Sequence, residues 1–468
     1  MTYAIGPLWL ELGVLSVAGL VFVADLLMGK KRGLGTLSAV GLAALLMASF
    51  FVEVEGAALF DTYMADASGL FFKRVLLLAG ALASVGTIDH VDRCYPKRQG
   101  EHYLMVLLSL SGMMLLTGAQ DLLLWVVGFE LSGIPLAVLA AMSKDRRSAE
   151  ASLKLLLSGA ASSAVTLYGI SFLWGLSGDT AFAGLAGVEA SPLLSLGVVL
   201  ILGGISFKVG LVPFHLWIPD TYEGAPAPAV AFMSVAPKIA VVASLARLLG
   251  TGLSPHAELW ITPLVALAVV TLVVGNLTAL TQRDARRMLA LSGVGHMGLM
   301  FLALVVGGPE AIGALMFYAL AYVVTNMGAF FVVGLVADDR GGKLVDFNGL
   351  VKRSPALSTA MLVFLFSLGG IPFLVGFWAK LFVFWSAWIG GYELIVVLGV
   401  LIAVLALFYY LRLARAIFME KTDNPDAVPV GWPSLIAVAL CALFTVGLGI
   451  VPGPFIEAAI DAAGTLLN

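Results

Sequence analysis

The chain has 468 residues, of which 60% are hydrophobic and 12% are charged, with a mean hydropathy of +1.03 and a formal net charge of −3. A soluble fold could not bury so much apolar surface, so this composition excludes a soluble protein and indicates a polytopic membrane protein. Two cysteines, Cys94 and Cys441, lie far apart and form no metal-binding or disulfide pattern.

Apolar runs of about 20 residues, the length that crosses a hydrocarbon core of about 30 Å, recur from end to end. They predict an all-α fold with fourteen transmembrane spans at residues 5–28, 34–52, 68–88, 103–118, 121–142, 149–176, 192–216, 227–250, 258–281, 286–307, 311–336, 355–386, 393–418 and 431–453. The first run lacks a preceding basic region and is too long for the core of a signal peptide, so we expect a retained span.

Basic residues are concentrated in alternate loops, which hold 19 of the 26 Lys and Arg. These residues are Lys30, Lys31, Arg32, Arg93, Lys97, Arg98, Lys144, Arg146, Arg147, Arg283, Arg286, Arg287, Arg340, Lys343, Lys352, Arg353, Arg412, Arg415 and Lys421. The opposite loops hold Lys73, Arg74 and Arg247. By the positive-inside rule the first set is cytoplasmic, so both termini are expected on the outer side of a bacterial or archaeal inner membrane.

Of the basic residues, four lysines remain within or at the edge of spans, and these are Lys154, Lys208, Lys238 and Lys380. Glu130 and His296 also lie inside apolar spans. A charge at the bilayer centre costs about 2.5–3.5 kcal/mol on insertion scales, so such groups normally face a bundle interior and serve a function. Lys154 lies close to the start of its span, where its side chain could equally reach the membrane surface.

Two spans are interrupted by glycine and proline beside a lysine. The seventh reads "LGGISFKVGLVPFHLW", with Lys208 ahead of Pro213, and the twelfth reads "FLFSLGGIPFLVGFWAK", with Pro372 ahead of Lys380. Proline removes a backbone donor, and carbonyls freed inside a membrane need water or polar side chains. Both breaks are therefore expected to line a cavity.

The two broken spans lie five spans apart, which predicts two halves of inverted topology, because an odd number of crossings reverses direction. The predicted divisions are a three-helix segment at 1–100, a first half with spans 4–8 at 101–250, an inverted half with spans 9–13 at 251–420, and span 14 at 421–468. Glu130 then corresponds to His296, and Lys208 corresponds to Lys380.

The intramembrane series has the residue types of a proton relay. Burial disfavours the charged form of a lysine and a nearby carboxylate restores it, so separating Glu130 from Lys208 would release a proton. Lys238, His296 and Lys380 extend the series, and histidine exchanges protons near neutral pH. Moving one charge outward costs about 2.3 kcal/mol per 100 mV, so an energy source is required.

The sequence contains no pattern for such a source. It has no P-loop, and "GVGHMG" at 293–298 matches the dinucleotide-binding pattern only inside an apolar span. There is no Cys cluster for iron–sulfur and no convincing haem pattern. The redox chemistry is therefore expected in a partner subunit.

The stretch "FHLWIPDTYEGAPAPAVAFMSVAPK" resembles the signature of the proton-translocating, Mrp-antiporter-like membrane subunits of respiratory complex I, the NADH–quinone oxidoreductase, and among them subunit N. Further matches are "FELSGIPLAVLAA", "EASLKLLLSGAASSAVTLYG", "TQRDARRMLALSGVGHMGLM" and "GGKLVDFNGLVKRSPALSTAMLVFLFSLGGIPFLVGFWAKLFVF". They run in order from about residue 100 to 420. The chain also ends soon after span 14, as in subunit N and unlike relatives with a long lateral helix.

This resemblance implies roles for particular residues. Glu130 and Lys208 would be the pair at the cytoplasmic half-channel, Lys238 the central lysine, Lys380 the lysine of the far half, and Lys154 a functional neighbour of the pair. The resemblance also implies other membrane-arm subunits and membrane lipid as neighbours, with flavin, iron–sulfur clusters and quinone in partner subunits. We expect no cofactor or metal in this chain and no nucleic-acid partner.

The loop "PDTYEGAPAPA" is expected to be a cytoplasmic turn, and Asp220 and Glu223 make it acidic where the other cytoplasmic turns are basic. Proton uptake, docking to a neighbouring subunit and a simple surface turn all remain open for it. His215 is expected either to cap the seventh helix or to join the relay, and Pro237 to loosen the backbone beside Lys238.

Two alternatives to a redox-driven pump subunit remain open. The chain could belong to an Mrp-type sodium/proton antiporter, although the sequence "PDTYEGAPAPAVAFMSVAPK" favours the pump. It could also be a scaffold that anchors redox partners without moving protons. The sequence does not distinguish NADH from reduced ferredoxin or a deazaflavin as donor, does not name the quinone, and does not exclude sodium as the transported ion.

Overall fold

The computed structural model describes residues 5–28, 33–340, 342–422 and 426–466, without the side chains of Asp339 and Arg340. Lys30, Lys31 and Arg32 of the predicted cytoplasmic loops lie outside the described residues. Within the described part the fold is almost entirely helical. One short antiparallel hairpin, β1 (Gly56–Ala58) and β2 (Tyr63–Ala65), pairs Ala57 with Met64.

The described helices are α1 (Trp9–Leu27), α2 (Leu34–Ala48), α3 (Ala67–Cys94), α4 (Gln99–Gly118), α5 (Leu122–Ala140), α6 (Arg146–Ser177), α7 (Phe182–Leu185), α8 (Pro192–Val209), α9 (Trp217–Gly224), α10 (Ala227–Met233), α11 (Ala236–Gly250), α12 (Ala257–Leu280), α13 (Ala285–Val306), α14 (Gly308–Arg340), α15 (Leu350–Arg353), α16 (Pro355–Gly369), α17 (Val375–Ile389), α18 (Glu393–Phe418), α19 (Trp432–Ile450) and α20 (Gly453–Gly464). Short 3₁₀ turns occur at Gly6–Leu8, Ser254–His256 and Leu344–Phe347.

The predicted all-α membrane fold is confirmed. In the described part of the chain, twelve helical segments are long and apolar enough to cross a membrane, and α2, α16 and α17 are shorter apolar helices. Each of the fourteen predicted spans coincides with one of these helices or with a broken pair. The eighth span consists of α10 and α11, and the twelfth consists of α16 and α17.

One local prediction was wrong, and one helix was not predicted. The segment expected to be a turn contains the helix α9, and the helix α20 follows the last predicted span. The composition of this segment did not indicate a helix, because it contains Pro219 and Gly224, which usually interrupt helices. In the structure these residues lie in the first turn and at the last position of α9, where a helix tolerates them. The break in the seventh span also begins earlier than Pro213, since Gly210 ends α8 in the left-handed conformation at φ 72°.

Helices α10, α11, α13 and α14 form the centre of the bundle, where nearly every residue is buried. The two predicted halves share packing features around this centre. A Cβ on Gly112 would lie 2.5 Å from the backbone nitrogen of Ser132, and one on Gly275 would lie 2.6 Å from that of Gly295. Thus α4 crosses α5, and α12 crosses α13, backbone to backbone at glycine, as small residues allow in membrane helices.

A buried ion pair joins the N-terminal helices to this centre. The guanidinium of Arg247 in α11 donates to both carboxylate oxygens of Asp66, which precedes α3, at 2.7 and 2.8 Å, and its Nε donates to the Thr117 carbonyl at 3.0 Å. Nearby, Lys73 pairs with Glu11 of α1 at 3.0 Å. Lys73 and Arg247 were counted with the loops in the sequence analysis, although both lie inside the predicted spans 68–88 and 227–250, and the structure buries both within helices.

We predict that Arg247→Met destabilises the chain by roughly 3–5 kcal/mol, because it leaves the Asp66 carboxylate buried without its partner. The check is thermal unfolding of the purified chain in detergent. The matched control is Arg415→Met, which removes an exposed pair with Glu420 and should cost no more than about 1 kcal/mol. Equal destabilisation by the two variants would contradict the anchoring role of Arg247.

Candidate functional site

The structure brings Glu130 and Lys208 together. Lys208 lies in the last turn of α8, and its Nζ lies 3.2 Å from Oε1 of Glu130 in α5. The Ser163 hydroxyl of α6 donates a short hydrogen bond to the same oxygen. A lysine at the C-terminus of a helix is favoured by the helix dipole, and the carboxylate offsets part of the cost of burying it. The pair can therefore hold a charged lysine at membrane depth.

A cavity of about 160 Å³ adjoins this pair. Its walls include Glu130, Lys208, Trp217 and Met233, and it reaches Pro237, the residue before Lys238. A space of this size with polar groups on its wall can hold water. Phe207 and Lys208 of the seventh span line it, which agrees with the expectation that the broken seventh span lines a cavity.

Lys238 is the central lysine of the series and the least compensated. It is 2% exposed, and its Nζ has no hydrogen-bond partner among the described residues. The Tyr222 ring lies with its centroid 5.8 Å from Nζ. Lys238 also lies in the first turn of α11, the end of a helix where the dipole opposes a positive charge. The helix begins after a break at Ser234–Val235, so the interruption precedes Pro237.

His296 of α13 lies between the hydroxyl groups of two tyrosines from other helices. Its Nδ1 is 2.6 Å from the Tyr318 hydroxyl, and its Nε2 is 3.2 Å from the Tyr410 hydroxyl. Tyr410 in turn donates to the Ser292 hydroxyl at 2.9 Å. The imidazole is therefore connected on both sides to groups that can pass a proton.

Lys380 lies in α17, just after the break in the twelfth span. Its Nζ donates to the Leu368 carbonyl at 2.6 Å, one of the carbonyls freed where α16 ends at Gly369 and Gly370 takes φ 87°. Lys380 and His296 also face one small cavity of about 10 Å³, roughly the space of a single water. Lys380 thus has a backbone carbonyl as its hydrogen-bond acceptor, whereas Lys208 has the carboxylate of Glu130.

Lys154 does not contact Glu130 in this structure. Its Nζ pairs with Asp220 and with Glu150, each at 2.7 Å. Asp220 also accepts from Arg287 at 2.8 Å, and Arg287 reaches Glu223 at 2.7 Å. The loop expected to be acidic is therefore balanced by cations from α6 and α13. These residues border an open cavity of about 260 Å³.

Asp220 is ionised at neutral pH in this arrangement. Partial burial raises the pKa of its carboxyl, but the hydrogen bonds from Lys154 and Arg287 outweigh that effect and hold the pKa below its usual range. A carboxylate with a lowered pKa pairs with cations and does not carry protons near pH 7.

One of the two expectations for His215, that it caps the seventh helix, was wrong. Gly210 occupies the C-cap of α8, and the His215 side chain lies six residues beyond the helix end. Its ring is buried, and its Nδ1 has no partner in the described part of the chain. No structural role for the ring follows from these contacts.

The sequence analysis missed the hydroxyl groups around the lysines. These are Ser163, Tyr222, Ser292, Tyr318, Tyr322 and Tyr410. One signal for them exists, because Tyr318 and Tyr322 lie four residues apart in the apolar run AIGALMFYALAYVV of α14 and so share one face. In the described residues no group of three or more His, Cys, Asp or Glu side chains is arranged to hold a metal ion.

Comparison with known proteins places the chain in context. Residues 119–406 match the transmembrane family described as NADH:quinone oxidoreductase/Mrp antiporter. The chain is 37% identical over 465 residues to NADH-quinone oxidoreductase subunit N of Moorella thermoacetica, an alignment that covers 97% of this chain and 96% of that protein.

Two solved structures have the same fold. A chain of respiratory complex I from Thermus thermophilus superposes with a TM-score of 0.84 at 30% identity, covering 96% of this chain and 99% of that one. A chain of the Mrp complex from Dietzia sp. superposes with a TM-score of 0.87, covering 99% and 97%. At 19% identity the latter likeness concerns the fold alone. From its sequence identity over nearly the whole length and its fold, the chain belongs to the NADH-quinone oxidoreductase subunit N family.

Proposed function

We propose that this chain moves protons outward through its membrane bundle as part of a complex I-type assembly that reduces quinone. The observation that carries the proposal is the series of buried ionisable side chains at the breaks and centre of the bundle: Glu130 with Lys208, then Lys238, His296 and Lys380. Family membership supports it independently. Such groups are costly in a membrane and typically mark ion pathways.

Proton uptake would occur at the Glu130–Lys208 pair. While Glu130 stays 3.2 Å from Lys208, the carboxylate favours the protonated lysine. A movement of α5 relative to α8 that lengthens this contact would leave Lys208 in an apolar cavity, where it gives up its proton toward Lys238. Lys154 and Asp220 lie at the open cavity on the side that the basic loops assign to the cytoplasm.

The second half would pass the proton from Lys238 through His296 to Lys380. Lys380 has no carboxylate in hydrogen-bond contact among the described residues, and its Nζ donates to a backbone carbonyl. It can therefore release its proton without breaking an ion pair. The predicted orientation, with both termini outside, makes this transfer outward.

The energy would come from partner subunits of the membrane arm and of the redox arm. Flavin, iron–sulfur clusters and quinone are assigned to those partners, with NADH or another reduced compound as donor, and no redox centre is assigned to this chain. The predicted divisions at residues 100, 250 and 420 are proposed to separate the N-terminal helices, the two halves and the last span. This organisation is supported by the glycine crossings and by the two breaks that end in left-handed glycine.

An Mrp-type sodium/proton antiporter subunit is the second candidate, favoured by the same fold in the Dietzia Mrp complex. The two candidates differ in a direct assay. A pump subunit purified with its native partners reduces quinone and acidifies the outside, whereas an antiporter subunit has no quinone reductase activity and exchanges sodium for protons.

We predict that Glu130→Ala and Lys208→Ala each lower the number of protons moved per electron while the complex still reduces quinone, because each removes half of the uptake pair. The measurement is proton-to-electron stoichiometry in proteoliposomes containing the assembled complex. Lys97→Ala, which removes an exposed cytoplasmic-side lysine, is the matched control and should leave the ratio unchanged. A wild-type ratio in both test variants would support the scaffold alternative.

We predict that Asp220→Asn lowers the thermal midpoint of the chain by the same amount from about pH 8 down to about pH 5, because the lowered pKa keeps this carboxylate ionised throughout. The stabilisation by Asp220 is present above the unfolded pKa of about 3.9 and is lost as the pH falls through the lower folded pKa.

Glu189→Gln, at an exposed position, is the control for this pH series and should shift nothing. If the effect of Asp220→Asn changes between pH 6 and 8, Asp220 titrates in that range. The proton-uptake role that the sequence left open for this acidic segment would then replace the anchoring role.

A further inference from the structure

Two buried polar atoms near the centre of the bundle point into one gap. Among the described residues, neither Nζ of Lys238 in α11 nor the hydroxyl of Tyr322 in α14 has a hydrogen-bond partner. Both side chains are only 2% exposed. An unsatisfied buried donor costs roughly 1–3 kcal/mol, so two of them facing each other call for a functional or solvent-bridged explanation.

Gly293 in α13 forms the wall of this gap. A Cβ built on Gly293 would lie 2.6 Å from the Tyr322 hydroxyl and 3.2 Å from Nζ of Lys238. These two distances set an upper limit on the separation of the two polar atoms, and that limit does not exceed the length that one bridging water spans. Any side chain at position 293 would fill the space, so glycine is required to keep it open.

Beyond this gap, two tyrosines lie on one face of α14. Tyr318 lies one helical turn before Tyr322, so the two side chains project from the same face. Both rings flank the imidazole of His296, with ring centroids 5.9 Å from it for Tyr318 and 5.4 Å for Tyr322.

The hydrogen bonds of His296 fix which of its nitrogens accepts. The Tyr410 hydroxyl gives its single hydrogen to Ser292, so at Nε2 of His296 it can only accept. A neutral His296 therefore carries its hydrogen on Nε2, and Nδ1 accepts from the Tyr318 hydroxyl at 2.6 Å. Nδ1 is thus the atom at which a proton arriving along α14 is taken up.

We propose that Tyr322 and Tyr318 carry the proton from Lys238 to His296, and that Gly293 keeps open the water-sized gap that the first transfer crosses. This inference rests on the proposed relay and adds to it the residues between its two halves. An N–H bond breaks at Lys238, and a water in the gap accepts that proton as it passes one of its own to the Tyr322 hydroxyl.

The hydroxyls of Tyr322 and Tyr318 are not hydrogen-bonded to each other, so Tyr322 passes its original hydrogen to Tyr318 through a second bridging water. Tyr318 then passes its hydrogen to Nδ1 of His296. At each oxygen one O–H bond forms as another breaks, so both waters and both tyrosines end neutral. Lys238 ends as the amine and His296 as the imidazolium, and no oxidant or further reactant is needed.

The test is the proton-to-electron ratio of the assembled complex in proteoliposomes, with quinone reduction driven by its native donor. Tyr322→Phe keeps the ring and removes the hydroxyl, and Gly293→Ala fills the gap. Each should lower the ratio by at least half of the drop produced by Lys380→Ala, measured in the same series. Quinone reductase activity, recorded on the same samples, shows that the complex has assembled.

Matched controls separate the path from general packing effects. Tyr103→Phe removes the hydroxyl of another buried tyrosine, one that packs against Gly35 of α2. Gly447→Ala adds a methyl group in α19 where nothing lies within 4 Å. Both controls should keep the wild-type ratio.

Each outcome decides between the inference and the relay itself. A wild-type ratio in Tyr322→Phe, together with a lowered ratio in Lys380→Ala, overturns the tyrosine path and leaves the relay standing. A wild-type ratio in Lys380→Ala overturns the relay and this inference with it. If Gly293→Ala does not assemble, Tyr322→Phe alone decides, because its change removes one atom and adds none.

Discussion

The structure depends on one constraint, the cost of holding ammonium groups inside a largely apolar bundle. Lys208, Lys238 and Lys380 meet this constraint in three different ways. The first has a carboxylate at 3.2 Å, the last has a backbone carbonyl at 2.6 Å, and the central one has neither in the described residues. An ion pair retains its proton and an unpaired amine gives it up readily, so in this arrangement a proton is held at Lys208, and its transfer to the other lysines would require the Glu130–Lys208 contact to lengthen.

The helix breaks follow from the same constraint. An unbroken membrane helix satisfies all of its interior carbonyls and offers none to a side chain. Ending α16 at Gly369 frees the Leu368 carbonyl for Lys380, and ending α8 at Val209 places Lys208 beside a cavity. Away from the breaks, glycine lets α4 pack closely on α5 and α12 pack closely on α13.

Much of this organisation could be predicted from the sequence, because hydropathy reports membrane spans and because a charge in an apolar run is conspicuous. The pairing of Glu130 with Lys208 and the breaks near Lys208 and Lys380 were foreseen for that reason. The tyrosine contacts of His296 were not, since they join side chains up to 114 positions apart in the chain. The burial of Arg247 was missed as well, because its partner Asp66 lies 181 positions away, and the residues around Arg247 do not indicate this ion pair.

Lys238 provides the central test of the proposed relay, because this side chain has a high burial cost and no compensating contact in the described structure. The most direct measurement is the proton-to-electron ratio of the assembled complex carrying Lys238→Met, a substitution of similar length without a protonatable group. We expect a lowered ratio in a complex that still reduces quinone. A wild-type ratio would contradict the proposed relay and would show that protons cross the membrane arm without this lysine.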